Sequence, residues 1–475
     1  MSQIYAGFHR SDMTPKTGGI PLAGWGSTQL RLAANVVDPI YCHALAVGSS
    51  EKPELIIINF DLIDANPRAM KTWRPAISEA LGGLPEERII ISGTHTHEAP
   101  DMWSSLDSIK KEYIPYTTEV LIDASRRAVA DMKPAKVFYG KTEVGRPGQR
   151  LSFVRHYTMK NIQDPTDDTV YMSGNNFGFQ YLAEPEKYVY TGHESEADPE
   201  MQLMELRREN ADDILLVNWQ CHALLRGGVF SDEMTSDFCG PLRDNLMEML
   251  PNTQVVYVQG ACGNINPGTR IKEEALLGLN YDPFRPNDDS DSDHRAYGKI
   301  LAAYAKDIHD YHLVESKSDE LKFTKKMMVG KCDHSRDDMA PKLADFMKRF
   351  AEEGNTREVI AAAMELGLNS PYHAAGIVSR SKLPETELLE LNAVSFGDVA
   401  MVTSPCEMYD QIGRFVKKNS PFPATLIQGY SCGSFSYIPA EGTTMDSYER
   451  NATRYVPGTA EQMEREFIEM LNELK

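Results

Sequence analysis

The chain has 475 residues, 41% apolar and 25% charged, the balance of an ordinary soluble globular protein. Its formal net charge of -20 argues against nucleic acid or an anionic membrane as a partner, since both demand clustered Lys and Arg. Length alone suggests about three domains, but no repeat or low-complexity linker interrupts the chain, so one catalytic domain over 1–475 is expected.

Met1 to Arg10 carries no apolar leader segment, and no run is long enough to span a membrane. Seven cysteines (Cys42, Cys221, Cys239, Cys262, Cys332, Cys406 and Cys432) show no C-x-x-C spacing. An odd count without a framework points to reduced thiols and a cytoplasmic protein, although a secreted chain with its leader removed would read the same.

In chain order, Leu55 to Phe60 reads as a buried strand ending at Asp61. A helix is expected over 65–81. Ile89-Ile90-Ile91 reads as a second buried strand and leads into Gly93-Thr94-His95-Thr96-His97. In extended chain, residues two apart point to the same side, so His95 and His97 are expected to reach one site beyond a strand end. Two imidazoles so placed suit a divalent metal, zinc above all. On its own, the motif does not separate that reading from two histidines sharing a loop.

A helix is expected over 116–132. Ile214 to Trp219 reads as a strand leading to His222, a helix follows over 240–249, and Val255 to Val258 leads to Gly260-Ala261-Cys262-Gly263-Asn264. Residues 284–295 are acidic and read as an exposed loop, without the glycine and closing Glu of an EF-hand. Residues 335–370 are charged and helix-favouring, expected to form a surface helical insertion, with a lid as the alternative. Val399 to Val402 reads as a last strand, leading to Ser404-Pro405-Cys406-Glu407.

Functional groups of α/β sheets gather beyond the carboxyl ends of strands. A catalytic zinc needs three or four protein ligands and an open position. His95, His222 and Glu407 are the best donors by this reading, although Glu407 can equally cap a first helical turn after Ser404-Pro405. His97 can bind metal or carry a proton, and Asp61 can orient a ligand histidine.

An ordered set of motifs resembles the catalytic domain of the neutral/alkaline non-lysosomal ceramidase family across nearly the whole chain. The set begins with Asp12-Met13-Thr14-Pro15, Gly24-Trp25-Gly26 and Ser92-Gly93-Thr94-His95-Thr96-His97. It continues with Phe153-Val154-Arg155, Asn218-Trp219-Gln220-Cys221-His222 and Gln259-Gly260-Ala261-Cys262-Gly263-Asn264-Ile265-Asn266-Pro267. It closes with Ser404-Pro405-Cys406-Glu407, Tyr437-Ile438-Pro439 and Ser447-Tyr448-Glu449.

The resemblance implies an α/β fold of two stacked mixed sheets flanked by helices, an α/β/β/α sandwich. It implies one zinc ion per chain held by His95, His222, Glu407 and Tyr437, with His97 as acid/base and Arg155 and Tyr448 on the substrate carbonyl. Asn266 replaces the family's serine, Val154 its asparagine, and the resemblance stops at Lys475 without a counterpart of the immunoglobulin-like domain.

The expected function is therefore zinc-dependent hydrolysis of an amide, or of an ester or lactone, in a small molecule other than ceramide. Metal-activated water would be the nucleophile. Asn264 or Asn266 would either touch substrate or only shape the turn. A cysteine hydrolase using Cys221, Cys262 or Cys406, and a catalytically silent binding protein, are the alternatives. The expected partner is a small-molecule substrate, with no nucleic acid and no membrane insertion; homo-oligomerisation is left open.

Overall fold

The computed structural model describes residues 3–475 other than 17, 26–29, 146–150, 175–183, 185, 229, 269–292 and 444–446. The apolar runs fold into two mixed sheets. From edge to edge, the larger runs Thr253–Gln259, Asp213–Trp219, Glu200–Arg208, Lys133–Glu143, Ile4–Asp12, Tyr41–Gly48, Leu55–Phe60 and Ile89–Gly93, with Val314–Glu315 joining Lys133–Glu143. The smaller runs Leu321–Lys331, Thr386–Phe396, Val399–Thr403 and Ala424–Gln428.

Side chains alternate across each strand, and here both faces are covered, which is why the runs read as unbroken apolar stretches. Ile57, Ile90, Leu216 and Val256 face the smaller sheet and share a core with its Val394, Met401 and Leu426. On the opposite face Ile56, Ile58 and Ile91 pack on the helices Pro67–Ala80 and Ile114–Ala130. Leu215, Val217 and Tyr257 pack on Cys239–Met249 and Asp293–Tyr311. The far face of the smaller sheet is closed by Asp410–Asn419 and Thr459–Leu474. The layers are thus helix, sheet, sheet, helix, as expected.

Within these two sheets, three of the described strand pairs are parallel: Leu55–Phe60 with Ile89–Gly93, Asp213–Trp219 with Thr253–Gln259, and Val399–Thr403 with Ala424–Gln428. Their carboxyl ends are tied together by main-chain bonds, from Gly93 N to Tyr430 O (3.2 Å) and from Gly429 N to Gln259 O (3.1 Å). A Cβ on Gly93 would lie 2.6 Å from the Leu62 carbonyl oxygen, so only glycine lets the chain pass there.

Of the expected acidic loop, 284–292 lies outside the described residues, and Asp293 to Arg295 form the first turn of a helix rather than a loop. The 335–370 region folds as a short 3-10 turn, Asp337–Leu343, and the helices Ala344–Glu353 and Arg357–Glu365, which pack with the following helix Pro371–Arg380 around Phe346, Phe350, Val359 and Ile377. The last of these helices docks on Tyr448–Ala452: Tyr372 meets Tyr448 edge-on at 5.0 Å, and the Asn451 amide donates to Ser370 Oγ at 2.9 Å. Among the described residues, no helix is long and apolar enough to cross a membrane.

Candidate metal centre

The strand Ile89–Gly93 stops before the histidines, and His95 adopts φ +65°. The segment is therefore not extended, and strand alternation is not what aligns His95 with His97. A left-handed turn at His95 does so, held by His95 N to Leu62 O (3.0 Å) and His97 N to Ala223 O (3.1 Å). A left-handed histidine is uncommon backbone that its surroundings must impose, a condition concentrated at functional sites. The Nε2 atoms of His95 and His97 end 3.2 Å apart.

His222 and Glu407 complete the cluster from the other two parallel pairs. His95 Nδ1 lies 2.8 Å from the Ile63 carbonyl, and His222 Nδ1 lies 3.0 Å from the Ile265 carbonyl. A carbonyl only accepts, so each ring in its neutral form carries the proton on Nδ1 and presents an unprotonated Nε2. Glu407 Oε2 sits 3.4 Å from His95 Nε2 and 3.6 Å from His222 Nε2. Both His222 Nε2 and Glu407 Oε2 are buried without a hydrogen-bond partner, a state that native proteins seldom leave unexplained. Zinc bonds of about 2.0–2.1 Å in a tetrahedron separate donors by about 3.3 Å, close to the spacings here. His95, His97 and His222 also form a group whose ligand atoms all lie within 4.8 Å and could hold a metal.

His97 differs in protonation. Its Nδ1 accepts the backbone N–H of Trp25 at 3.3 Å, so its neutral ring carries the proton on Nε2. Burial lowers the His97 pKa well below the usual value, and His95 and His222 add to this, which keeps the ring neutral. Trp25, itself at φ +64°, is anchored by its indole N–H on Glu98 Oε1 at 2.6 Å. Arg31 holds the other Glu98 oxygen at 2.8 Å. A Cβ on Gly24 would fall 2.6 Å from His97 Cβ, so this approach also requires glycine.

Burial lowers the His222 pKa to about 4, with Arg155 adding to it. Glu407 is not a helix cap: it lies in the short strand Glu407–Met408, opposite Tyr437 of Tyr437–Ile438, and the next helix begins at Asp410. Arg155 Nη2 donates to the Tyr437 hydroxyl at 3.3 Å and to the Gly263 carbonyl at 2.8 Å, while its Nε donates to Glu449. Tyr448 meets the Tyr437 ring edge-on at 5.8 Å.

No protein-family model matches the chain. Solved structures that match it over its whole length include two ceramidases. One is a neutral ceramidase from Pseudomonas aeruginosa, 17% identical with a TM-score of 0.69, covering 100% of this chain and 75% of that one. The chain has the neutral ceramidase fold. A second ceramidase structure, complexed with C2, is 15% identical with a TM-score of 0.67 and the same coverage of 100% and 75%.

On this ceramidase fold, Asp61, Asn264 and Asn266 are held by the following contacts. Asp61 accepts both Nη atoms of Arg243 at 2.8 and 2.6 Å, and both side chains are fully buried. It also accepts the Tyr41 amide (2.9 Å) and the Thr94 hydroxyl (3.3 Å), and it bonds no histidine among the described residues. The carbonyls of Ile63 and Ile265 orient the rings of His95 and His222 instead. Asn264 closes the start of Asp410–Asn419: it accepts from Asp410 N (2.9 Å) and donates to Asp410 Oδ1 (2.9 Å) and Gln411 Oε1 (3.1 Å). It shapes a turn, as its alternative reading allowed. Asn266 is buried in the strand Ile265–Pro267, opposite Phe153.

The thiols do not favour a cysteine nucleophile, because the thiolate is the reactive form. Burial pushes Cys262 up to about 12 and raises Cys406 further.

Four residues escaped the sequence reading. Tyr430 stacks on His95 at 3.8 Å. Asp64 is buried beside His95 and Glu407, where burial raises its pKa, and it accepts the Trp103 indole N–H at 3.1 Å. Glu98 fixes Trp25. His156 lies between Glu194 (2.7 Å) and Glu449 (3.2 Å). Glu98 follows His97 directly in the chain, which was a usable signal; nothing local marks Tyr430 or His156.

Proposed function

We propose that the chain is a zinc-dependent hydrolase of an amide, ester or lactone bond in a small molecule. The observation that carries this reading is the pair of Nδ1-anchored histidines, His95 and His222, turning unprotonated Nε2 atoms toward the otherwise unbonded Glu407 Oε2. Tyr437, opposite Glu407, would be the fourth ligand. A zinc ion held there supplies Lewis acidity and a water acidic enough to react near neutral pH.

His97 presents an Nε2 proton to the same space. It is placed to protonate a leaving group, or to steady an oxygen on which charge develops. Its Trp25 bond at Nδ1 makes it a donor rather than a ligand. Arg155 is a positioning residue, directing the Tyr437 hydroxyl while Glu449 neutralises it. The cavity beside Glu407, about 290 Å³, is lined by Trp103, Ser379, Arg380, Ser434, Ser436 and Arg454 among others. That wall is largely polar and offers little to two alkyl chains, which supports a polar substrate over ceramide.

The test is elemental analysis of the purified chain, followed by an amide, ester and lactone panel with and without chelator. About one zinc per chain, with hydrolysis lost to chelator and restored by zinc, is expected. Hydrolysis that is indifferent to chelation overturns the reading.

A further inference from the structure

Behind the strand Tyr437–Ile438 lies a second cavity of about 160 Å³, which contains none of the proposed zinc ligands. Arg336, Arg380 and Arg450 line it together with His373, Asn451 and Asp333. The electrostatics are unusual in two respects.

First, none of the three arginines has a carboxylate partner among the described residues. Arg380 is only 6% exposed, and its Nη1 donates to the carbonyls of Asn451 (2.8 Å) and Thr453 (2.9 Å). Arg336 donates to His373 Nε2 (3.2 Å) and Met339 Sδ (2.9 Å). Arg450 donates to the Ala440 carbonyl and to Thr443 Oγ1 (3.0 Å), while its Nε is buried without a partner.

Second, the lining holds three guanidinium groups against one carboxylate. Asp333 accepts the Ser335 amide at 3.0 Å and bridges to none of the three. A buried cation normally carries a counter-charge. Burial disfavours the charge on Arg380 and Arg336 adds to this, outweighing the nearby carboxylates of Asp333 and Asp337, which favour it. An oxyanion meets this need, since planar guanidinium forks match carboxylate and phosphate oxygens.

We propose that this cavity binds a small oxyanion, a phosphate or a carboxylate, independently of the zinc site. It sits against the catalytic elements: Thr453 Oγ1 donates to the Tyr437 carbonyl at 2.8 Å, and Arg450 and Asn451 share a helix with Tyr448 and Glu449. Arg380 also lines the cavity that reaches Glu407.

The test is isothermal titration of the zinc-loaded full chain with sodium phosphate and, separately, sodium acetate, at constant ionic strength in chloride. Saturable binding of one anion per chain is expected, and the tighter of the two identifies the group recognised. Arg380→Met and Arg336→Gln should each weaken binding by about tenfold or more. Arg349→Gln, removing an exposed pair with Glu353, should leave it unchanged. If Arg380→Met does not fold, Arg336→Gln decides, because among the described residues that side chain bonds only His373 and Met339. Chelator-stripped protein should bind equally well, which separates this site from the metal reading. Binding that vanishes with zinc, binding untouched by both variants, or no binding at all overturns the proposal.

Discussion

The backbone N–H of Trp25 donates to His97 Nδ1 at 3.3 Å, while the indole of the same residue is held by Glu98 at 2.6 Å. One residue thus sets the tautomer of His97 through its main chain and is fixed through its side chain. Trp25→Phe keeps the amide but removes the anchor. Hydrolysis should fall about 10–100-fold, the range for losing such support, with zinc content unchanged. Parallel loss of zinc would place Trp25 in support of a ligand rather than a proton donor.

The tautomers divide the three histidines. His95→Ala and His222→Ala should each strip zinc from the purified chain, because each removes an unprotonated Nε2. His97→Ala should retain zinc and lose hydrolysis. Elemental analysis of the three variants checks this, and a zinc-free His97→Ala protein would establish the three-histidine set in place of the set with Glu407.

Asp61 serves the fold. Asp61→Asn preserves shape but leaves the Arg243 guanidinium buried without its counter-charge. Breaking a buried pair in this way costs about 3–5 kcal/mol. Denaturant unfolding should show that loss, while zinc content and turnover per folded molecule stay at wild-type values. Loss of zinc without loss of stability would return Asp61 to the metal site.

Much of this was legible in the chain. The strands at Leu55, Ile89, Ile214, Val255 and Val399 all form where their apolar runs lie, because burial on both faces leaves no polar interruption. The convergence of His95, His222 and Glu407 was legible because each follows such a run. The left-handed turn at His95 was not, since it depends on Leu62 accepting the amide of His95 and Ala223 that of His97. Nor was the fate of Asp61, whose partner Arg243 is 182 positions away. Tautomers were out of reach for the same reason: they are set by backbone carbonyls and amides that only the fold brings close.

Glu194, His156, Glu449 and Arg155 form a buried row of alternating charge that responds to pH. Burial lowers the pKa of His156, but Glu194 and Glu449 outweigh it and raise it from 6.5 to about 9. The folded state therefore holds this proton more tightly than the unfolded chain. The resulting stabilisation is complete below pH 6.5 and is lost as pH rises through about 9. Glu449 behaves oppositely: burial raises its pKa, but Arg155 and His156 lower it to about 2 from 4.5, so its contribution is present above pH 4.5 and fades toward pH 2. Stability measured by denaturant unfolding should decline between neutral pH and pH 9. His156→Gln removes the positive charge between two carboxylates, lowers stability by about 3 kcal/mol near neutral pH, and flattens that decline. Because Glu449 also restrains Arg155, and Arg155 the Tyr437 hydroxyl, the same variant should weaken zinc retention. A variant as pH-sensitive as the wild type would show that His156 is not the titrating group.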